Sequence, residues 1–303
     1  MKRVKNNKHA YLIMAHNEIE LLKVLLSLLD YERNDIYLHI DAKAEGFEIS
    51  ELMECVKKSK LFIVEPRIDV KWGNFSQIEC EYRLLERATP QKYMYYHMMS
   101  GVDLPLRTQG EIHQFFDENY GTEYIQFESS ELTNEEKNRV SKYHFIAKRK
   151  KNIIEKILYK VSLMLQLKID RTKKSPLEYR KGANWFSITD DLAQYVVKNK
   201  KIIEKYFRYT ICGDELFLQS LVYSSEYRKN ISENNFCDNY ETIKYVIDWK
   251  RGNPYVFRES DFEQLVSSGQ LFARKFSWNL DKRIVEKIKE YILLHTDENE
   301  TTN

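Results

Sequence analysis

The segment Cys212-Gly213-Asp214-Glu215-Leu216-Phe217-Leu218-Gln219-Ser220 sets two adjacent carboxylates after a glycine and ahead of an apolar, helix-forming run. Neighbouring residues of a helix point in different directions. One carboxylate can therefore satisfy the helix start while the other is free to accept a proton. Asp or Glu in a first turn is also the ordinary way to meet unpaired N–H groups and the helix dipole, so spacing alone leaves cap and catalyst both open. Three more polar residues, His16, Asp41 and Asp103, stand where short apolar runs end.

Several chemistries have no footing. The dinucleotide and phosphate-loop glycine motifs are absent. So is any Asp-x-Asp, the usual divalent-metal grip of nucleotide-sugar enzymes, and the His and Cys residues lack zinc spacing. A diphosphate ligand would need Lys and Arg as its counter-charge, and neither a metal nor another cofactor is expected.

The positioning elements read as short strands alternating with helices. Ala10–Ala15, Ile36–Ile40, Leu61–Val64 and Tyr93–Met98 are predicted strands. Helices are expected over Glu18–Leu29, from a Ser50 cap through Val56, and from Ser76 past Leu85, with Ser100–Leu106 a turn. Continuous apolar runs of this length suit strands buried on both faces. The alternation predicts an α/β fold with a mostly parallel sheet flanked by helices, and ligands of such sheets sit beyond the carboxyl ends of the strands. His16-Asn17, Asp41 and Ser100–Asp103 are those ends. Further on, Gly182–Thr189 reads as a turn feeding a strand, and Asp190 opens a helix. Ile243–Ile247 is a strand, and Lys250-Arg251-Gly252-Asn253-Pro254 a basic turn. Asp261 caps a helix, and Leu271–Phe276 follows it. Lys282–Leu294 is a closing helix and His295–Asn303 a frayed polar tail.

The 303 residues, 43% hydrophobic, can bury a sizeable core, and 9 Gly with 5 Pro argue against linker-rich organisation. A net charge of +2 gives no global drive toward nucleic acid or membrane. No stretch is apolar for long enough to span a bilayer. The apolar run after basic Met1–Lys8 breaks at His16-Asn17-Glu18, which is not a signal-peptide pattern. Cys55, Cys80, Cys212 and Cys237 show neither C-x-x-C spacing nor a secretory context, so reduced thiols in a cytoplasmic protein are expected.

The middle of the chain is distinctive. Lys148-Arg149-Lys150-Lys151 leads into Ile153, Ile154, Ile157, Leu158, Val161 and Leu165, with Lys156 and Lys160 interleaved and Lys168, Arg171, Lys173 and Lys174 following. The helix either packs its apolar side on the domain or lies on anionic lipid, at the inner face of the membrane. The basic run Lys148–Lys151 has no interleaved aromatic and no reader motif is present, so nucleic acid is not expected.

Seven segments in order resemble the core-2/I-branching β-1,6-N-acetylglucosaminyltransferase and peptide O-xylosyltransferase family, glycosyltransferase family 14. They are AYLIMAHNE, IYLHIDAK, WGNFSQ, SGVDLPL, GANWFSIT, GDELFLQSL and LFARKF. The resemblance implies a GT-A-type, inverting, metal-independent glycosyltransferase, acting from a UDP-sugar (UDP-GlcNAc first) on a glycan or lipid-linked glycan in cell-surface polysaccharide synthesis. It implies Glu215 as general base and Arg274 with Lys275 facing the donor diphosphate. Asp41, His16 and Trp72 border the nucleotide, and Arg251 joins the donor side from its basic turn. Asp103, Asp214, Asn184 and Trp185 belong to the acceptor side or the architecture, Asp214 as the cap of the helix that follows. Asn74 and Asn184 depart from the Gly and Gln common in the family. Residues 1–303 are expected to form one domain. Its donor half is 1–127, its acceptor and catalytic half 128–280, and its helix and tail 281–303. A non-catalytic carbohydrate- or membrane-binding protein on the same fold is the rival reading.

Overall fold

The computed structural model describes residues 6–145, 152–232, 236 and 239–301. The basic run Lys148–Lys151 and Cys237 lie outside them. The chain begins β1 (His9–Ala15), α1 (Ile19–Leu29), β2 (Asn34–Ile40), α2 (Ile49–Glu54), β3 (Lys60–Ile63) and α3 (Phe75–Ala88). It continues with β4 (Tyr95–Ser100), β5 (Asp103–Pro105), α4 (Gln109–Glu118), β6 (Tyr124–Ile125), α5 (Asn134–Ser141) and α6 (Ile153–Leu165). Then come β7 (Phe186–Thr189), α7 (Asp190–Lys198), α8 (Lys200–Phe207), α9 (Phe217–Tyr223), β8 (Tyr245–Ile247), α10 (Phe262–Val266), β9 (Phe272–Arg274) and α11 (Lys282–Thr301).

Six strands form one sheet in the order β3-β2-β1-β4-β7-β6. Strands β3, β2, β1 and β4 run parallel, and β7 turns antiparallel to β4. This is the mixed, mostly parallel sheet flanked by helices that the alternation predicts. Period-two alternation along β1 sends Tyr11 and Ile13 to one face, packed with α1 and α11. Ala10 and Leu12 go to the other, packed with α3, α7 and α9. A strand with no solvent face must be apolar throughout, which is why AYLIMA reads as it does.

Local signals missed what distant pairing decides. Ser100–Leu106 contains a strand, because β5 pairs antiparallel with β9 in a second sheet ordered β5-β9-β8. Ser50 caps nothing: α2 starts after Glu48 without a side-chain cap. Asn74 caps α3, accepting from the Ser76 N–H. The closing helix continues through the segment read as frayed, to Thr301. The apolar side of α6 does not pack on the domain, since none of its residues is buried.

Candidate active site

Gly213, Asp214 and Glu215 form a single 3-10 turn before α9. Cys212 enters it at φ 49 and donates its N–H to the Gly73 carbonyl at 3.0 Å. A Cβ on Gly213 would lie 2.9 Å from Ile78 Cδ1, so glycine lets the turn press against α3. Asp214 is buried and accepts from Gln77 Nε2 of α3 at 2.8 Å. It does not cap α9, whose N-cap is Leu216 with no side-chain hydrogen bond. The expected helix cap is instead a cross-link from the turn to α3. Burial, then the charge of Glu215, pushes its carboxyl up to about 7. Beside it Glu81 is fully buried, with no hydrogen-bond partner for its carboxyl among the described residues. Burial, then Asp214, raises Glu81 well above the usual carboxylate range.

Glu215 is placed differently. Its carbonyl accepts from the Gly182 N–H at 2.9 Å, while its side chain keeps 39% of its surface open. Arg139 Nη1 of α5 lies 3.2 Å from Glu215 Oε2. Partial burial raises this carboxyl, and the positive charges of Lys181 and Arg139 pull it back toward the ionised form. Lys181 is itself held by Glu128 and by Glu136, the latter at 3.2 Å. At Gly182 a Cβ would sit 1.9 Å from the Gln126 carbonyl oxygen, so no side chain fits there. The backbone next to the carboxylate is thereby fixed from two sides.

The cations gather at the carboxyl edge of the sheets. Arg274 Nη1 donates to Asp103 Oδ1 at 2.6 Å across the β5–β9 pair, where Asp103 is fully buried and also accepts from the Ser100 N–H. The guanidinium lies 4.6 Å from the Trp185 ring, a cation–π contact. Asn184 and Trp185 lie two and three residues after Gly182, so one loop touches both the Glu215 turn and the Arg274 pair. Exposed His16 ends β1, and after burial the charges of Asp41, Arg274, Lys43 and Lys275 act on its ring. Asp41 ends β2, where it accepts from the Lys43 N–H at 2.8 Å and the Val70 N–H at 3.2 Å. Half-exposed Trp72 precedes Gly73 (φ 72), whose N–H is accepted by Gln77 Oε1. Gln77 thus ties the Trp72 turn to Asp214.

His16, Asp41, Arg274 and Lys275 are brought together. Arg251 is engaged by Asp248 and Asp261 at 2.5 and 2.7 Å, in the turn that follows β8, whose Ile247 pairs with Arg274. Arg139, Lys181, Lys43 and Gln77 were not singled out by sequence. A local reading of polar α5 sees only a solvated face, and the partner of Arg139 lies far along the chain. Among the described residues no three His, Cys, Asp or Glu side chains are grouped to hold a metal ion. Among them no helix is long and apolar enough to cross a membrane.

Fold and site together define an α/β protein with a partly open carboxylate and a cation cluster at the carboxyl edge of its sheet. The family model described as Core-2/I-Branching enzyme matches residues 9–265, and the chain belongs to that family. It is similar to xylosyltransferase 2 of Rattus norvegicus, 24% identical over 298 residues that cover 91% of this chain and 33% of the relative. The Canis lupus familiaris xylosyltransferase 2 is 22% identical with the same coverage. A Bos taurus β-1,3-galactosyl-O-glycosyl-glycoprotein β-1,6-N-acetylglucosaminyltransferase is 22% identical, covering 93% of this chain and 69% of its own. The chain thus spans about a third of the xylosyltransferases it matches. Among solved structures, mouse xyloside xylosyltransferase 1 aligns at a TM-score of 0.39 and 12% identity, over 88% of this chain and 96% of its own.

Proposed function

We propose that the chain is an inverting glycosyltransferase that moves a sugar from a UDP-sugar to a hydroxyl of a glycan or lipid-linked glycan. The observation that carries this reading is the placement of Glu215. Its carboxylate is partly open, is held beside Arg139, and shares the Gly182–Trp185 loop with Arg274. Glu215 takes the acceptor proton as the acceptor oxygen attacks the anomeric carbon. The bond from that carbon to the UDP oxygen breaks on the opposite face, and its electron pair leaves with UDP. A positioned base supplies about 10²–10⁴-fold to such a step. Arg274 and Lys275 stand as counter-charge for the leaving diphosphate, in the role a metal would otherwise fill.

GlcNAc is the first-choice sugar, from the activity named for the Bos taurus relative, with xylose next from the xylosyltransferases. Residues 1–127 form the nucleotide-sugar half and 128–280 the acceptor and catalytic half, from which Arg274 and Lys275 reach the donor diphosphate. The thiols Cys55, Cys80 and Cys212 are free, which suits a cytoplasmic enzyme. UDP-sugars screened for UDP release, with UDP titrated by calorimetry, test the reading. Release from one sugar that persists in EDTA is expected. UDP binding without release from any sugar would leave a non-catalytic carbohydrate-binding protein, and a strict need for Mn²⁺ would defeat the metal-free claim.

A further inference from the structure

Helix α6 is amphipathic with its usual sides reversed. Its polar side chains hold it to the protein. Tyr159 Oη pairs with His144 Nδ1 at 2.8 Å, and Gln166, just past the helix end, exchanges hydrogen bonds with the Tyr143 backbone at 2.7 and 3.1 Å. Lys142 Nζ donates to the carbonyls of Gln166 and Ile169. A reciprocal Asn152–Glu155 capping box closes the start. Ile153 at 76% exposure, Ile154, Ile157, Leu158, Val161 and Leu165 at 81% all face solvent. A surface helix ordinarily turns such a face to its core, and 13 residues make a marginal helix alone. Here hydrogen bonds do the anchoring, and the apolar side is left open.

We propose that this face docks on the surface of an anionic lipid bilayer. Large contiguous apolar patches mark interaction sites, and the charge around this one chooses the occupant. From 152 to 174 there are six basic side chains and two acidic ones, in a chain that balances 48 against 46. Both acids are tied locally, Glu155 in the capping box and Asp170 to the Thr172 N–H. Lys156, Lys160 and Lys168 are exposed beside the aliphatic side chains, the arrangement of an interfacial helix. A second copy would bring the same lysines face to face across a two-fold axis. Nucleic acid offers nothing to the aliphatic row. Lys142 and His144, which hold α6, close the end of α5, and α5 carries the Arg139 that meets Glu215. Docking therefore occurs on the side of the molecule that carries the Glu215 turn. On the transferase reading, that side would meet an acceptor held in the membrane.

Flotation of the full chain with phosphatidylcholine vesicles, alone or mixed with phosphatidylglycerol, tests docking without any turnover. Flotation with the mixed vesicles and weakening by salt are expected. Ile154→Asp with Leu158→Asp should abolish flotation at unchanged thermal melting, since both positions are exposed. Lys156→Gln and Lys160→Gln should each weaken partitioning about fivefold. Three results would overturn the proposal: no flotation, flotation indifferent to all four changes, or a dimer in sedimentation that the Asp changes dissolve. A shift with duplex DNA but none with vesicles would also overturn it. Loss of UDP release with flotation intact would sink only the transferase reading.

Discussion

Arg139 and Glu215 are 76 positions apart in sequence and meet at 3.2 Å. The pair makes the carboxylate a tuned group. Burial raises its pKa, while Arg139 and Lys181 lower it. A general base must be ionised, so the acid limb of kcat/KM for UDP release should lie above the ordinary Glu range. Removing a cation favours the protonated form, so Arg139→Ala should move that limb to higher pH. An unmoved limb with lowered kcat would make Arg139 a mere scaffold.

The Asp103–Arg274 pair is enclosed, with side chains 0% and 17% exposed. Deleting one member of a buried pair strands the other charge, at about 3–5 kcal/mol. Asp103→Ala should therefore lower the denaturation midpoint strongly. Arg274→Lys keeps a charge but loses the fork and weakens the stack on Trp185. It should unfold less readily than Asp103→Ala and yet lose donor affinity. Equal UDP affinity in calorimetry would remove Arg274 from the donor site.

At Gly182 even a methyl group would overlap the Gln126 carbonyl oxygen. Gly182→Ala should cost about 1–3 kcal/mol through forced displacement. Because Gly182 N–H holds the Glu215 carbonyl, it should also lower kcat more than it raises KM. Wild-type stability and turnover together would contradict this placement.

Beneath the sheet, His97 Nε2 meets His9 Nδ1 at 3.0 Å, and His113 Nε2 meets Asn34 Oδ1 at 2.8 Å. Burial lowers all three histidines, His113 to about 3. The unfolded chain takes up these protons as pH falls through about 6.5 and the folded chain does not. Stability should accordingly drop from about pH 6.5 downward, by up to about 1.4 kcal/mol per pH unit for each histidine. Buried Asp214, Glu81 and Glu123 act with the opposite sign. Their raised values favour the folded state at low pH, and that share is lost as pH rises from about 4 toward 7. Comparing urea midpoints of wild type and His113→Gln at about pH 7 and about pH 5 isolates one histidine. The variant should lose less on acidification, and parallel losses would refute the assignment.

Much of this fold was legible because β1, β2 and α1 are buried by their own local patterns. The His16 and Asp41 edge followed from them, since strand ends are local features and the sheet sets where ligands lie. Pairing across the chain was not legible. Arg139 and Lys181 look like ordinary surface charge until α5 and the Gly182 loop close on Glu215. Asp214 followed the rule for helix caps, yet Gln77 from α3 claims its carboxylate. Arg251 had the right charge in a basic turn, and the two carboxylates that engage its guanidinium could not be read from that turn alone.

The role of Glu215 is tested most directly by Glu215→Gln, which keeps the shape and removes the base. The measurement is UDP release from the preferred UDP-sugar, with thermal melting and UDP affinity as controls. A fall of about 10²–10⁴-fold at unchanged melting and affinity is predicted. Near-normal release would contradict the account and turn attention to Asp214.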